Sequence, residues 1–260
     1  MSQQKQSHPD SHLHPEATGL AKTTVEAHAK EQPLKFYAGW FCPFVQRAWL
    51  ILEEKKIQYQ YIEVNPYHKP KSLLDLNPRG LVPTLAYNDR PLYESTVLCE
   101  FLEDAFPDST PKIIPAFHRF LQYQPLKGES EQQAKDGENV VRQEFLGKLK
   151  EFTREMDKEG PYFWGKEPKM VDFAIVPWAV RLWVFDYFKS GLGIPEEGQG
   201  GDDEGAWARW RKWLNAMEER DSVKATTSEK QYFVPIYQRY ADNTAQSELA
   251  KAKRSGRGVP

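Results

Sequence analysis

Cys42 stands directly before Pro43, at the point where a strand-like stretch gives way to a helix-like one. Upstream, residues 35–40 (Lys-Phe-Tyr-Ala-Gly-Trp) read as a short aromatic-rich strand ending near Gly39. Downstream, Phe44, Val45, Ala48, Trp49 and Leu52 recur at helical spacing, with Gln46, Arg47, Glu53 and Glu54 on the opposite face. Pro43 suits the first helical position, where its missing N–H costs nothing. Cys42 is therefore expected at the N-terminus of an amphipathic helix. Unpaired N–H groups and the positive end of the helix dipole favour an anion there. In such settings a cysteine pKa falls to roughly 3.5–7.5, and the thiolate is the nucleophile. The Cys-Pro dipeptide alone fits a buried structural thiol equally well.

Cys42-Pro43-Phe44-Val45 offers no second thiol within the first turn, so it is not a Cys-x-x-Cys pair. Cys99, the other cysteine, lies mid-helix in 97–101 (Val-Leu-Cys-Glu-Phe) and reads as core, because a thiol packs like a small hydrophobe. One thiol cannot resolve its own mixed disulfide, so a second molecule must, and glutathione is the usual small thiol of the cytosol. The pattern points to monothiol glutathione chemistry. Two thiols in 260 residues make no disulfide framework, which fits a reducing compartment and a cytoplasmic protein. His8, His12 and His14 cluster in a polar stretch without a rigid frame and read as solvated, not as a metal site.

The elements needed to hold Cys42 follow along the chain. Residues 1–32 are polar, lack apolar periodicity and read as a flexible extension. Strands are expected at 59–64, 81–85 and 92–93. A short helix at 72–76 is stopped by Asn77-Pro78-Arg79-Gly80, and Glu94-Ser95-Thr96 opens another helix that runs toward Phe106-Pro107. After a linker at 108–115 only helices are expected: 116–123, 129–159, a very apolar 171–188, 203–219 and 229–240, with a flexible tail at 242–260. The fold class is thus an α/β unit at 33–107 followed by an all-α unit at 116–241. A formal net charge of −2 calls for neither nucleic acid nor an anionic membrane, and no apolar run reaches the roughly 18 residues of a membrane span.

Three segments together resemble the omega-type glutathione transferases, especially fungal omega-like forms. They are 41–47 (Phe-Cys-Pro-Phe-Val-Gln-Arg), 77–85 (Asn-Pro-Arg-Gly-Leu-Val-Pro-Thr-Leu) and 93–95 (Tyr-Glu-Ser). The resemblance implies the glutathione transferase fold: a thioredoxin-like, glutathione-binding domain followed by an all-α domain. It implies Cys42 as the nucleophile that forms a mixed disulfide with glutathione. Pro83 would be a cis-proline exposing the Val82 backbone, which would pair with the cysteinyl part of glutathione as an added strand. Glu94 and Ser95 would hold the γ-glutamyl end at a helix start, and Lys69 the glycyl carboxylate. Phe44 completes the glutathione-binding set. Lys69 as a solvated loop charge and Ser95 as a helix cap are the plainer readings.

For the helical domain, the resemblance implies a co-substrate pocket partly lined by Trp178, Trp183, Tyr232 and Tyr240. Ordinary core packing is the plainer reading for these helical aromatics. Asp172 matches an aspartate that opens the central helix, but Lys169 stands where a Ser or Thr would complete a capping box. Compared with the family, roughly twenty residues, or five to six helical turns, are missing between Pro107 and Lys112. That segment normally walls the pocket and contacts the partner in a homodimer. The implied activity is glutathione-dependent thiol transfer or dehydroascorbate-type reduction. The second substrate would be a small electrophile or an oxidised, disulfide-bearing molecule, with no metal and with glutathione as co-substrate. Alternatives are glutathione conjugation in a detoxification or secondary-metabolite pathway, and a non-catalytic protein that binds glutathione or a hydrophobic ligand.

Overall fold

Leu34–Ala38 forms β1, a run of β-prone residues whose last three side chains are all buried. In the computed structural model, which describes residues 14–54, 56–65, 67–87, 90–93, 113–247, 250 and 254, β1 lies inside a four-stranded sheet. The other strands are β2 (Gln60–Glu63), β3 (Thr84–Tyr87) and β4 (Arg90–Tyr93), in the order β2-β1-β3-β4. β2 runs parallel to β1, with Ala38 opposite Glu63; β3 runs antiparallel to β1, with Tyr37 opposite Thr84. A parallel pair needs a crossover, and the helix α2 (Pro43–Glu54) supplies it. Helix α2 ends in a Schellman arrangement. Ile57 N–H reaches the Leu52 carbonyl at 3.0 Å, Lys56 N–H reaches Glu53 at 3.1 Å, and Lys56 takes a positive φ of 51°. A short helix, α3 (Lys71–Leu76), precedes β3.

Two contact-defined units divide the chain: Met1–Val97 with Lys224–Ile236, and Leu98–Val223 with Tyr237–Pro260. The stretch 224–236, expected in the helical domain, therefore groups with the sheet. Its partners explain why. Gln46 and Arg47, expected on the outer face of α2, are buried, and the Gln46 amide donates to Thr226 O (3.1 Å), Thr226 Oγ1 (3.2 Å) and Thr227 Oγ1 (3.0 Å). The extension expected to be flexible over 1–32 holds an ordered helix, α1 (Gly19–Ala27), with Ala17 and Ala21 fully buried. Thr18 N–H donates to Ser228 Oγ at 3.2 Å, and Thr18 Oγ1 accepts from Glu229 N–H at 3.1 Å. Residues this small carry no strong apolar period, so only their distant partners show that they pack.

The second unit holds α4 (Ile113–Leu121), α5 (Glu131–Arg154), α6 (Met170–Ala179), α7 (Trp183–Phe188) and α8 (Glu204–Glu218). Two further helices, α9 (Asp221–Ala225) and α10 (Lys230–Ala241), follow, the latter with Tyr237–Ala241 in this unit. Residues 113–115, expected in a linker, form the first turn of α4, where Pro115 is tolerated. Residues 108–112, and with them the junction of the missing segment, lie outside the described residues. The apolar run 171–188 is two helices rather than one. Arg181 and Leu182 N–H groups turn back to Trp178 (3.1 Å) and Ala179 (3.2 Å), tightening the chain to i→i−3 bonds and ending α6. Within the core Phe120 stacks on Phe185 at 4.6 Å, and Phe152 meets Trp213 edge-on at 5.3 Å. Ala245 and Ala250 are also buried, so the start of the expected tail packs as well. Among the described residues, no helix is long and apolar enough to cross a membrane.

Asp172 ties this unit together. Lys169 offers no side-chain acceptor, so only the Asp172 half of a capping box forms: Oδ2 accepts the Lys169 N–H at 2.8 Å. Oδ1 also accepts from Phe163 N–H (2.9 Å) and from the Trp213 indole (2.7 Å). Burial raises its pKa against the pull of these donors. Asp172→Ala would orphan all three donors and is expected to cost about 3 kcal/mol or more in urea unfolding; a loss below about 1 kcal/mol would contradict this role. Glu63 in the first unit is a half-buried carboxyl whose pKa burial pushes up to about 8 from 4.5. The folded state thus holds a proton that the unfolded chain releases earlier. This group's contribution is intact below about 4.5 and is lost as pH rises toward about 8. Glu63→Gln should therefore lose less stability than the wild type over that window, as read from urea midpoints; equal pH slopes would refute the assignment.

Candidate active site

The chain leaves β1 at Gly39. A Cβ there would lie 3.1 Å from the Val64 carbonyl, so the close passage of β2 favours glycine. Cys42 N–H returns to the Gly39 carbonyl at 3.0 Å, closing a turn through Trp40 and Phe41. The Cys42 carbonyl accepts the Gln46 N–H at 3.0 Å, the first bond of the α2 ladder. Cys42 is accordingly the N-cap residue, Pro43 opens α2, and the Cys42 thiol is half-buried. Phe44, in the first turn, is half-buried, and Arg47 lies 5.5 Å from its ring.

The Val82–Pro83 peptide bond is cis. Thr84 pairs with Tyr37, so the antiparallel register runs toward Val82 and Pro83 at the end of β1 from which the chain leads to Cys42. This corner is fixed from behind. Asn77 Nδ2 donates to Thr84 Oγ1 at 3.1 Å, Thr84 Oγ1 donates to the Leu81 carbonyl at 2.8 Å, and Asn77 Oδ1 accepts from Arg79 N–H at 3.1 Å. Val82 packs against the cluster of Tyr37, Val64, Leu73 and Ala86. Lys69, half-buried, lies over the turn: a Cβ on Gly80 (φ 60°) would meet the Lys69 Cδ at 2.7 Å. Glu94 and Ser95, like Cys99, lie outside the described residues.

Of the four aromatics of the implied second-substrate pocket, Trp178, Trp183 and Tyr240 lie in the helical unit, joined through His118 and Tyr237, and Tyr232 lies in the first unit. Trp178 is fully buried, and its indole donates to His118 Nε2 at 3.3 Å, which makes it a core residue. Trp183 meets Tyr237 edge-on at 6.4 Å, and Tyr240 lies 6.2 Å from Tyr237, with its hydroxyl 2.7 Å from Ser247 Oγ. Tyr232 belongs to the first unit, against His14 at 4.4 Å.

Sequence reasoning missed the wall behind the Cys42 loop. Glu63 Oε1 accepts the Trp40 N–H at 3.2 Å, and Tyr61 on the same strand is buried with its hydroxyl un-ionised. Period-2 alternation along 59–63 carries the signal, since Tyr59, Tyr61 and Glu63 share a strand face.

Known proteins fit this geometry. Residues 41–105 match the family model for the glutathione S-transferase N-terminal domain, and residues 113–216 match that for the C-terminal domain. The chain is 32% identical over 169 residues to glutathione S-transferase omega-1 of Sus scrofa, covering 57% of this chain and 67% of that protein. It is 28% identical over 204 residues to glutathione S-transferase DHAR2 of Arabidopsis thaliana, covering 74% of this chain and 87% of that protein. The crystal structure of glutathione transferase Omega 3C from Trametes versicolor superposes with a TM-score of 0.67 at 38% identity, covering 83% of this chain and 98% of that one. With a thiol capping the helix that follows its first strand and a helical unit later in the sequence, the chain belongs to the glutathione transferases, in the omega class.

Proposed function

We propose that this enzyme is a glutathione-dependent thiol transferase in which Cys42 is the nucleophile. The observation that carries this reading is the place of Cys42 as the N-cap of α2, at the end of the sheet shared with the cis Val82–Pro83 bond. The first-turn N–H groups at the helix start and the helix dipole favour the thiolate over the thiol. The thiolate attacks the glutathionyl sulfur of an S-glutathionylated substrate. A Cys42–glutathione disulfide forms, the substrate sulfur leaves as a thiolate, and that thiolate takes a proton from water. A second glutathione thiolate then attacks the glutathione sulfur of the mixed disulfide, releasing oxidised glutathione and the Cys42 thiolate. Reduction of dehydroascorbate-type substrates draws on the same two glutathione electrons.

In this reading glutathione lies along the Val82 backbone as an added strand, with its glycyl carboxylate toward Lys69 and its γ-glutamyl end toward Glu94 and Ser95. Phe44 supplies apolar contact beside the sulfur. The second substrate is a small electrophile or an oxidised thiol. A resting thiolate of this kind suits a reducing compartment such as the cytoplasm.

Cys42→Ser removes the nucleophile and leaves the rest of the binding edge in place. Thiol-transferase activity is expected to fall to background, at least a hundredfold by order of magnitude, while glutathione affinity by calorimetry changes little. Equal activity in both proteins would remove Cys42 from the mechanism. A wild type that binds glutathione without turnover would make the protein a binding module.

A further inference from the structure

Glu63 ends β2 directly opposite Ala38, the last residue of β1. Its Oε1 accepts the N–H of Trp40, two residues before Cys42, and the turn between them is closed by the Cys42 N–H on the Gly39 carbonyl. A carboxyl that grips Trp40 therefore grips the loop that carries the sulfur. The other groups that face this carboxyl come from two directions. Tyr61 lies on the same strand, fully buried, its ring 4.8 Å from Trp49 on α2; ionisation of its hydroxyl is opposed by burial, by the Glu63 charge and by a charge on Cys42. From the segment before α1 come the Ala17 N–H and the charge of Glu16, itself paired with Lys22 at 2.9 Å. No cation is among the groups that shift Glu63, and burial outweighs the donors that pull the other way, the Trp40 and Ala17 N–H groups and the Tyr61 hydroxyl.

We propose that Glu63 is a positioning residue for Cys42: it holds the loop through Trp40 and, by keeping or losing one proton, sets how much negative charge stands behind the thiolate. The inference rests on Cys42 being the reactive thiolate. The carboxyl titrates at about 8, so near neutral pH it is uncharged and does not oppose the thiolate. Above that point its proton passes to solvent and the new anion raises the proton affinity of the sulfur. A thiolate of higher proton affinity is the stronger nucleophile, by about threefold per pKa unit at a Brønsted slope near 0.4–0.5.

The test is the alkylation rate of the Cys42 peptide by iodoacetamide, followed by mass spectrometry across the range in which carboxyl and thiol groups titrate. The wild type should show a plateau once the thiolate has formed, then a second rise centred near pH 8, about threefold for each unit by which the new anion raises the thiol pKa. Glu63→Gln keeps a carbonyl oxygen for the Trp40 N–H and should lose the second rise. Tyr61→Phe should keep the rise but move it to higher pH, because the phenol stays neutral and its hydrogen bond lowers the Glu63 pKa. Superimposable profiles for the wild type and Glu63→Gln, or a second rise lost in Tyr61→Phe, would overturn the assignment while leaving Cys42 as nucleophile. A Cys42 peptide that resists alkylation near neutral pH in every protein would overturn the thiolate reading, and this inference with it. Should Glu63→Gln fail to fold, carboxyl-carbon NMR of the wild type decides: every glutamate titrating near 4.5, with none near 8, sinks the proposal.

Discussion

The hydrogen bond from the Gln46 N–H to the Cys42 carbonyl joins the fold to the chemistry. It makes Cys42 the residue at which a strand-exit loop becomes a helix, and it leaves the sulfur beside N–H groups that no helical carbonyl satisfies. Its position depends on both neighbours. Gly39 lets β1 leave the sheet against the Val64 carbonyl, and the buried Gln46 amide ties the first turn of α2 to Thr226 and Thr227. A substitution that moved Gln46 would shift the helix start, and with it the direction in which the thiol points.

The surroundings of that bond combine restraint and electrostatics. In front, the Asn77–Thr84–Leu81 hydrogen bonds hold the corner that presents Val82 and Pro83. Behind, Glu63 costs stability at neutral pH, because a half-buried carboxyl is kept from ionising. A well-packed apolar residue would lack that penalty, and would also lack an acceptor for the Trp40 N–H. Retaining a carboxyl where it weakens the fold fits a role in setting the loop and its charge.

The α/β order, the start of α2 and the place of Cys42 were legible because they depend on local signals: strand periodicity, a Cys-Pro step and an amphipathic run. The glycine-ended stop at 77–80 was legible for the same reason. What escaped depends on distant partners. Gln46 looks like an outward polar residue until Thr226 is placed beside it, and the small residues of α1 show no period until Ser228 and Glu229 are placed against Thr18. The apolar run 171–188 hid a break because nothing in its hydropathy changes where the hydrogen bonds tighten. Trp178, offered as pocket lining, is core because its indole turns to His118. The Asp172 cap was half legible: the missing Ser or Thr was visible at Lys169, but not the Phe163 and Trp213 donors that replace it.

The central claim is that Cys42 is an accessible thiolate beside the Val82–Pro83 backbone along which glutathione binds. The most direct measurement is intact-protein and peptide mass spectrometry after exposure to a small excess of oxidised glutathione at neutral pH. The account predicts one glutathione adduct on the peptide that carries Cys42, removed by added glutathione. An unmodified Cys42, or an adduct confined to Cys99, would contradict it.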